Sequence, residues 1–218
     1  LSESGFRYIR IDGAWGIPMY IQSVYEWRYG AMVIDGASPT LTEIEFTDIN
    51  TTSLLTTNLA QPRLIGGEYT VGTDDESDVR GSAVQIYSSG TPVTPLILES
   101  PNFIGTNVGC GRWDPSRPVL WAEDTFIEID GATAVGDYGL SMRHSSGSIT
   151  NSELNVNCNG IDINSRKSVG NVDYSIEVIS NEITTADGSP ITVFDGGLAH
   201  IEDNELEGAD EASGISIE

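Results

Sequence analysis

A short motif with two apolar residues flanking one other, usually opened by a small residue, returns along the whole chain of 218 residues. It reads Tyr8-Ile9-Arg10-Ile11, Ala31-Met32-Val33-Ile34, Ser53-Leu54-Leu55-Thr56, Ala83-Val84-Gln85-Ile86, Pro118-Val119-Leu120-Trp121, Gly139-Leu140-Ser141-Met142, Gly160-Ile161-Asp162-Ile163, Pro190-Ile191-Thr192-Val193 and Gly214-Ile215-Ser216-Ile217. Successive starts lie 23, 22, 30, 35, 21, 21, 30 and 24 residues apart, so the unit is about 22 residues and the longer intervals carry loops. Alternation with a period of two marks strands. No sustained 3.6-residue apolar stripe occurs, so very little helix is expected.

A second signal follows at a nearly fixed offset: two apolar residues five apart, as in Leu41…Phe46, Leu64…Tyr69, Leu98…Phe103, Ile149…Leu154, Val178…Ile183 and Ile201…Leu206. Simple alternation places residues five apart on opposite faces, so a residue between each pair must sit at a bend or bulge. Asp-Gly and Asn-Gly dipeptides punctuate the intervals. Strands of about five residues bury no core alone, but coils stacked at roughly 4.8 Å do. A propeller blade needs about 40 residues, and a sandwich has no reason to repeat at 22.

Segments such as Ser38-Pro39-Thr40-Leu41-Thr42-Glu43-Ile44-Glu45-Phe46, Gly147-Ser148-Ile149-Thr150-Asn151-Ser152-Glu153-Leu154 and Gly197-Leu198-Ala199-His200-Ile201-Glu202-Asp203-Asn204-Glu205-Leu206 resemble the right-handed parallel β-helix repeat of the pectin-lyase-like superfamily. The resemblance implies an all-β, right-handed parallel β-helix (a solenoid) of about eight coils, on the order of 40 Å long. Residues 1–218 read as one β-helix segment of a longer solenoid, with loop insertions near 70–82, 101–117 and 165–172. The fold carries lyases, hydrolases and inert stalks, so the function must come from particular residues.

Charge narrows the partners. Thirty-three acidic residues against 10 basic ones leave a formal charge of −23, which repels phosphate and argues against a nucleic-acid partner. Lys167 is the lone lysine, a balance expected of a salt-adapted protein whose self-repulsion is screened. Apolar runs of about four to six residues are far too short to span a bilayer, so this segment does not insert into a membrane.

The most orderly polar feature is a glutamate directly before the second apolar residue of each five-spaced pair: Glu45, Glu68, Glu153, Glu182 and Glu205, with Asn102 in the equivalent place. Stacked coils would align these as an acidic column. It is either a stripe for oxygen-seeking Ca²⁺ or a solvated outer face, and the second is the simpler reading. Asp74, Asp75, Glu76 and Asp78 form a second candidate Ca²⁺ cluster, without the spacing of an EF-hand loop. No cofactor is required.

Lyases of the resembled superfamily carry a catalytic arginine within an Arg-x-Pro-x-x-Arg string. Arg112-Trp113-Asp114-Pro115-Ser116-Arg117 keeps both arginines but sets the proline one place late, so Arg112, Asp114 and Arg117 are weak catalytic candidates. The Gly-His-Gly and Arg-Ile-Lys strings of its hydrolases are absent. His144, beside Arg143 and near Asp137-Tyr138, reads as an exposed strand histidine. Trp15, Tyr25 and Trp27 belong to an aromatic-rich stretch, seven of 17 aromatics falling in the first 30 residues, and are candidates for contact with sugar rings or a partner. Asn50-Thr51-Thr52 is a glycosylation sequon. Cys110 and Cys158 leave a disulfide and two separate thiols equally open.

The resulting expectation is a non-enzymatic structural or adhesive segment of a larger surface protein or filament. It would be extracellular, with neighbouring domains, subunits or polysaccharide as partners. The competing expectation is a polysaccharide lyase, glycoside hydrolase or carbohydrate-binding module with a groove beside 101–117.

Overall fold

Each five-spaced apolar pair straddles a sharp corner, and the corner residue is left-handed. Tyr8, Glu43, Gly66, Ser100, Gly131, Asn151, Ser180 and Asp203 all have φ between 51° and 65°. That conformation turns the chain in one step and returns the fifth residue to the inside; glycine tolerates it freely at 66 and 131, while other residue types incur a steric cost. The corner amides do not lose their partners: Glu43 N donates to Ile65 O at 2.9 Å, Ser100 N to Asp130 O at 2.7 Å and Ser180 N to Glu202 O at 3.1 Å.

The computed structural model describes residues 5–22, 25–49, 51–70, 82–105, 110, 118–164, 175–194, 197–209 and 214–217. Among them there is no helix, only strands. Strands before the corners form sheet A, from Gly5–Arg7 through Thr40–Thr42 to Leu198–Glu202; strands after it form sheet B, from Arg10–Asp12 to Glu205–Glu207. The alternating motifs form sheet C, from Glu26–Asp35 through Thr52–Thr57 to Ile215–Ile217. The sheets hold eight, eight and nine strands, and all but the edge strand Ile17–Ile21 of sheet C pair in parallel with their counterparts one rung on, as Glu153↔Glu182 and Leu140↔Ile161 illustrate. The chain therefore winds A, B, C and repeats, an all-β parallel β-helix-like architecture.

Inward residues stack in ladders. Leu41, Leu64, Leu98, Ile129, Ile149 and Val178 line sheet A; Phe46, Tyr69 and Phe103 stack on sheet B, with ring centroids 5.5 and 6.0 Å apart; Leu54, Val84, Leu120, Leu140, Ile161 and Ile191 line sheet C. Polar ladders hold two corners. Asn181 Nδ2 donates to Ile149 O and its Oδ1 accepts from Ser152 N, both at 2.9 Å, and Asn204 repeats the pattern one rung on. Where sheet C meets sheet A, Thr125 Oγ1 accepts from Ser89 N and Ser145 Oγ from Thr125 N. Nearly every backbone group inside such a coil must be paired, and these side chains serve where the chain turns.

Three details depart from the sequence expectation. Pro118-Val119-Leu120-Trp121 is one residue out of phase, with Leu120 rather than Val119 facing Val84 and Leu140 on the inner ladder and Trp121 outside. Tyr8-Ile9-Arg10-Ile11 is not equivalent to the other alternating motifs: Tyr8 is a corner residue and Arg10–Asp12 lies in sheet B, whereas the remaining motifs lie in sheet C. Sheet C also begins with an antiparallel strand, Ile17–Ile21, paired with Glu26–Asp35. Period-two alternation is common to parallel and antiparallel strands, so spacing did not distinguish this hairpin.

Candidate functional site

Three surfaces collect the candidate residues. On the outside of sheet B the register runs Arg10, Glu45, Glu68, Asn102, Thr133, Glu153, Glu182, Glu205, one residue per rung. The five glutamates thus share one column, with Glu153, Glu182 and Glu205 on consecutive rungs and exposed. Asn102 Nδ2 donates to Glu68 Oε2 at 3.3 Å and Asn102 Oδ1 accepts from Thr133 Oγ1 at 2.8 Å, so the middle of the column is relieved by neutral groups. The Thr133 rung was missed in the sequence because Ala134, its inward neighbour, is too small to stand out as apolar. Among the described residues no three His, Cys, Asp or Glu side chains converge as a metal site.

The outside of sheet C is different in kind. The hairpin folds over it: Ile21 packs with Leu55 and Tyr87, bordered by Met19, Val33 and Trp121, as a small second apolar cluster. Arg28 Nε donates to Tyr87 Oη at 3.0 Å and also pairs with Glu26. Burial pushes the Tyr87 phenol up, and Arg28 opposes that shift without cancelling it. Burial works against the charge of Arg28, but Tyr87 and Glu26 outweigh it and hold the guanidinium more firmly protonated than usual. Further along, the Arg143 guanidinium lies 5.2 Å from the Trp121 ring centroid, and Trp121 Nε1 donates to Glu123 Oε2 at 3.2 Å. A cation over an indole with a carboxylate at the ring's edge can hold a polar ring or a charged chain.

The third surface is the hairpin's other side and the first rung. Tyr8, Trp15, Tyr25 and Trp27 are 80%, 77%, 78% and 59% exposed, as are Phe6 on the first rung and Tyr20 on the hairpin; Ile17, also exposed, shares the packed face of Met19 and Ile21 by strand alternation. Tyr20 and Trp27 face each other across the hairpin, edge to face, at 5.5 Å. Large apolar groups scattered singly on a surface need no explanation, but so many exposed aromatics on one hairpin and its neighbouring rung do.

Cys110 and Cys158 are joined in a disulfide with Cα atoms 5.6 Å apart. It ties the connection after Asn102–Ile104 to the turn before Ile161–Asn164, two rungs along. His144 is not on a strand: it follows Tyr138–Arg143 at a corner, φ 45°, with a mostly buried ring. Its nearest acid is Asp124, with Nδ1 to Oδ1 at 3.7 Å, whereas Asp137 sits at the other end of the strand and accepts from Asn157. His144 and Asp137 are therefore not brought together, and His144 is neither exposed nor on a strand. Asp74, Asp75, Glu76 and Asp78, the arginine string Arg112, Asp114 and Arg117, and Asn50 lie outside the described residues.

Set against family models, curated proteins and solved structures, the chain matches none.

Proposed function

We propose that this chain is a non-catalytic, extracellular surface segment: a stiff, salt-adapted β-solenoid that makes adhesive contact through the aromatic surface on its first rungs. The observation carrying this reading is the exposed pair Tyr20 and Trp27, edge to face at 5.5 Å, on a hairpin whose opposite side is packed down onto sheet C and whose two ends carry the exposed Trp15 and Tyr25. Aromatic side chains held on a rigid support lose little entropy on contact and dominate interface energetics. The partner is a neighbouring domain or subunit of the same assembly, or a polysaccharide. The disulfide supports an oxidising compartment. The open carboxylate column suits a salty one, where the Debye length falls to about 3 Å at 1 M. The test is a Trp15→Ala/Tyr25→Ala/Trp27→Ala variant. Wild type should be retained on insoluble polysaccharide or sediment as larger species at high concentration, and the variant should do neither while melting at the same temperature. A wild type that stays monomeric and is retained by no matrix would contradict the reading.

A second reading is favoured by Trp121 and Glu123, on the strand that follows the arginine string, and Arg143, opposite Glu123 on the next rung, which line the outside of sheet C. It makes this face the floor of a polysaccharide-cleaving groove, with Ca²⁺ as the cofactor to test. Turnover of uronate polymers that depends on Ca²⁺ and is lost in Arg117→Ala would establish it in place of the first.

A further inference from the structure

The outside of sheet A carries a cleft of about 400 Å³, far from the aromatic hairpin, that neither reading uses. Its floor is the small-residue run Ser146-Gly147-Ser148 of strand Ser146–Thr150, with Ser175 on the next rung. Register places Glu128 one rung before Ser148 and Glu177 one rung after, so the two glutamates bracket the floor about 10 Å apart along the coil axis. Phe126 lies directly beneath Ser146 in the register. The remaining wall is the turn from Thr91 to Pro95, held by reciprocal bonds between Thr91 and Thr94 at 2.9 and 3.1 Å and by their hydroxyls at 2.7 Å. Pro92 and Pro95 stiffen it.

The hollow has a local cause. A Cβ on Gly147 would come within 1.7 Å of Ile127 O, so a larger residue is excluded there, and serines on either side leave the floor low between two long carboxylate side chains. The site is preformed: floor and wall are both fixed by backbone bonding. Its volume falls in the range of small-molecule sites.

The lining selects a ligand class. Two carboxylates and a row of hydroxyls offer mostly acceptors, so the occupant must be rich in donors and must not be an anion. Phe126 and the two prolines offer a flat apolar wall beside that polar floor, which suits a molecule with one apolar face and a rim of hydroxyls. A lone lysine side chain would satisfy one glutamate and leave the floor unused. We infer that this cleft is a saccharide subsite for amino sugars, its glutamates pairing with ammonium groups on two successive rings and its serines with ring hydroxyls. The inference is independent of the aromatic end.

The test uses the β-1,4-linked disaccharide of glucosamine, its neutral glucose counterpart and digalacturonate, titrated in about 1 M NaCl, where diffuse attraction to the acidic surface is screened. Calorimetry gives affinity and amide shifts give location. The glucosamine disaccharide should bind best, shift the amides of Ser146, Gly147 and Ser148, and lose about fivefold in affinity in Glu128→Gln and again in Glu177→Gln. Ser148→Tyr, which fills the floor without changing charge, should abolish binding while the melting temperature holds. The Trp15→Ala/Tyr25→Ala/Trp27→Ala variant should bind normally, so failure of the aromatic reading would not touch this one. Binding that survives Ser148→Tyr, shifts confined to other residues, or equal binding of the glucose disaccharide or digalacturonate would overturn the assignment.

Discussion

On the outside of sheet B the column Glu153, Glu182, Glu205 stands open to water, while the corresponding column on sheet C, Leu55, Gln85, Trp121, Ser141, Asp162, Thr192, is buried or half-buried along its length. Both columns come from one repeat wound on one geometry. At the hairpin end the difference arises from what lies over the two columns: sheet B connects to sheet A through single corner residues that leave its face bare, whereas the first rungs of sheet C are covered by a hairpin that brings Ile21 and Met19 onto Leu55 and Tyr87. A solenoid repeat thus dictates which residues point outward but not which of them meet solvent. At the hairpin end the outward residues Leu55 and Tyr87 of sheet C form a second core with Ile21, and those on sheet B form a charged rail.

The sharpest way to break that comparison is Leu55→Ala. If the outside of sheet C is a core, the substitution costs about 2–5 kcal/mol by chemical denaturation, as in any well-packed interior. A loss no larger than a surface change would show that the hairpin does not seal the face. Next in size is the disulfide. Closing a span of 48 residues stabilises by about 4 kcal/mol at most in the chain-entropy account. A Cys110→Ser/Cys158→Ser pair should therefore lower stability by roughly 2–4 kcal/mol, and an unchanged midpoint would place the cross-link outside the cooperative unit.

Smaller, and opposite in sign, is Tyr69→Phe. The Tyr69 hydroxyl is buried in the aromatic ladder with no hydrogen-bond partner among the described residues, so removing it should stabilise the protein by about 1 kcal/mol at neutral pH. Burial, aided by Glu43, pushes the Tyr69 phenol above its ordinary value. A raised folded-state pKa contributes stability that is intact below the unfolded value, about 10, and is lost as pH climbs through the folded one. Wild type should weaken above about pH 10, and Tyr69→Phe should flatten that decline; Tyr87, raised the same way, leaves some of it in place. The smallest effect is on the rail. Glu182→Gln relieves repulsion from both neighbours and should stabilise by about 0.2–1 kcal/mol at low salt, fading toward zero at about 1 M NaCl. Destabilisation by this change at low salt would mean that the column binds a cation rather than tolerating its charge.

Much of this organisation is legible in the chain. The five-residue spacing locates the left-handed corners, because no regular strand keeps both members of such a pair inside, and the glutamate before the second member then falls on one column by register alone. Local alternation says less. It placed Tyr8–Ile11 in the wrong series and passed over the Ala134 rung, where a small residue fills the aromatic ladder's place. The hairpin and the sheet A cleft are invisible for another reason. Both depend on residues far apart in sequence, Ile21 with Tyr87 and Thr91 with Ser148 and Glu177, whose proximity exists only after the coils have stacked. His144 illustrates the same limit, since its conformation belongs to the corner it occupies and not to its sequence neighbours.

The winding itself is open to one decisive measurement, pulsed electron–electron distances between nitroxides placed on the sheet B column with the native disulfide intact. From a label at Glu45→Cys to partners at Glu153→Cys, Glu182→Cys and Glu205→Cys, four, five and six rungs away, separations of about 19, 24 and 29 Å are expected, rising by one strand spacing per rung. Distances that fail to increase in that order, or that alternate between near and far, would contradict a coil in which each turn pairs with the next.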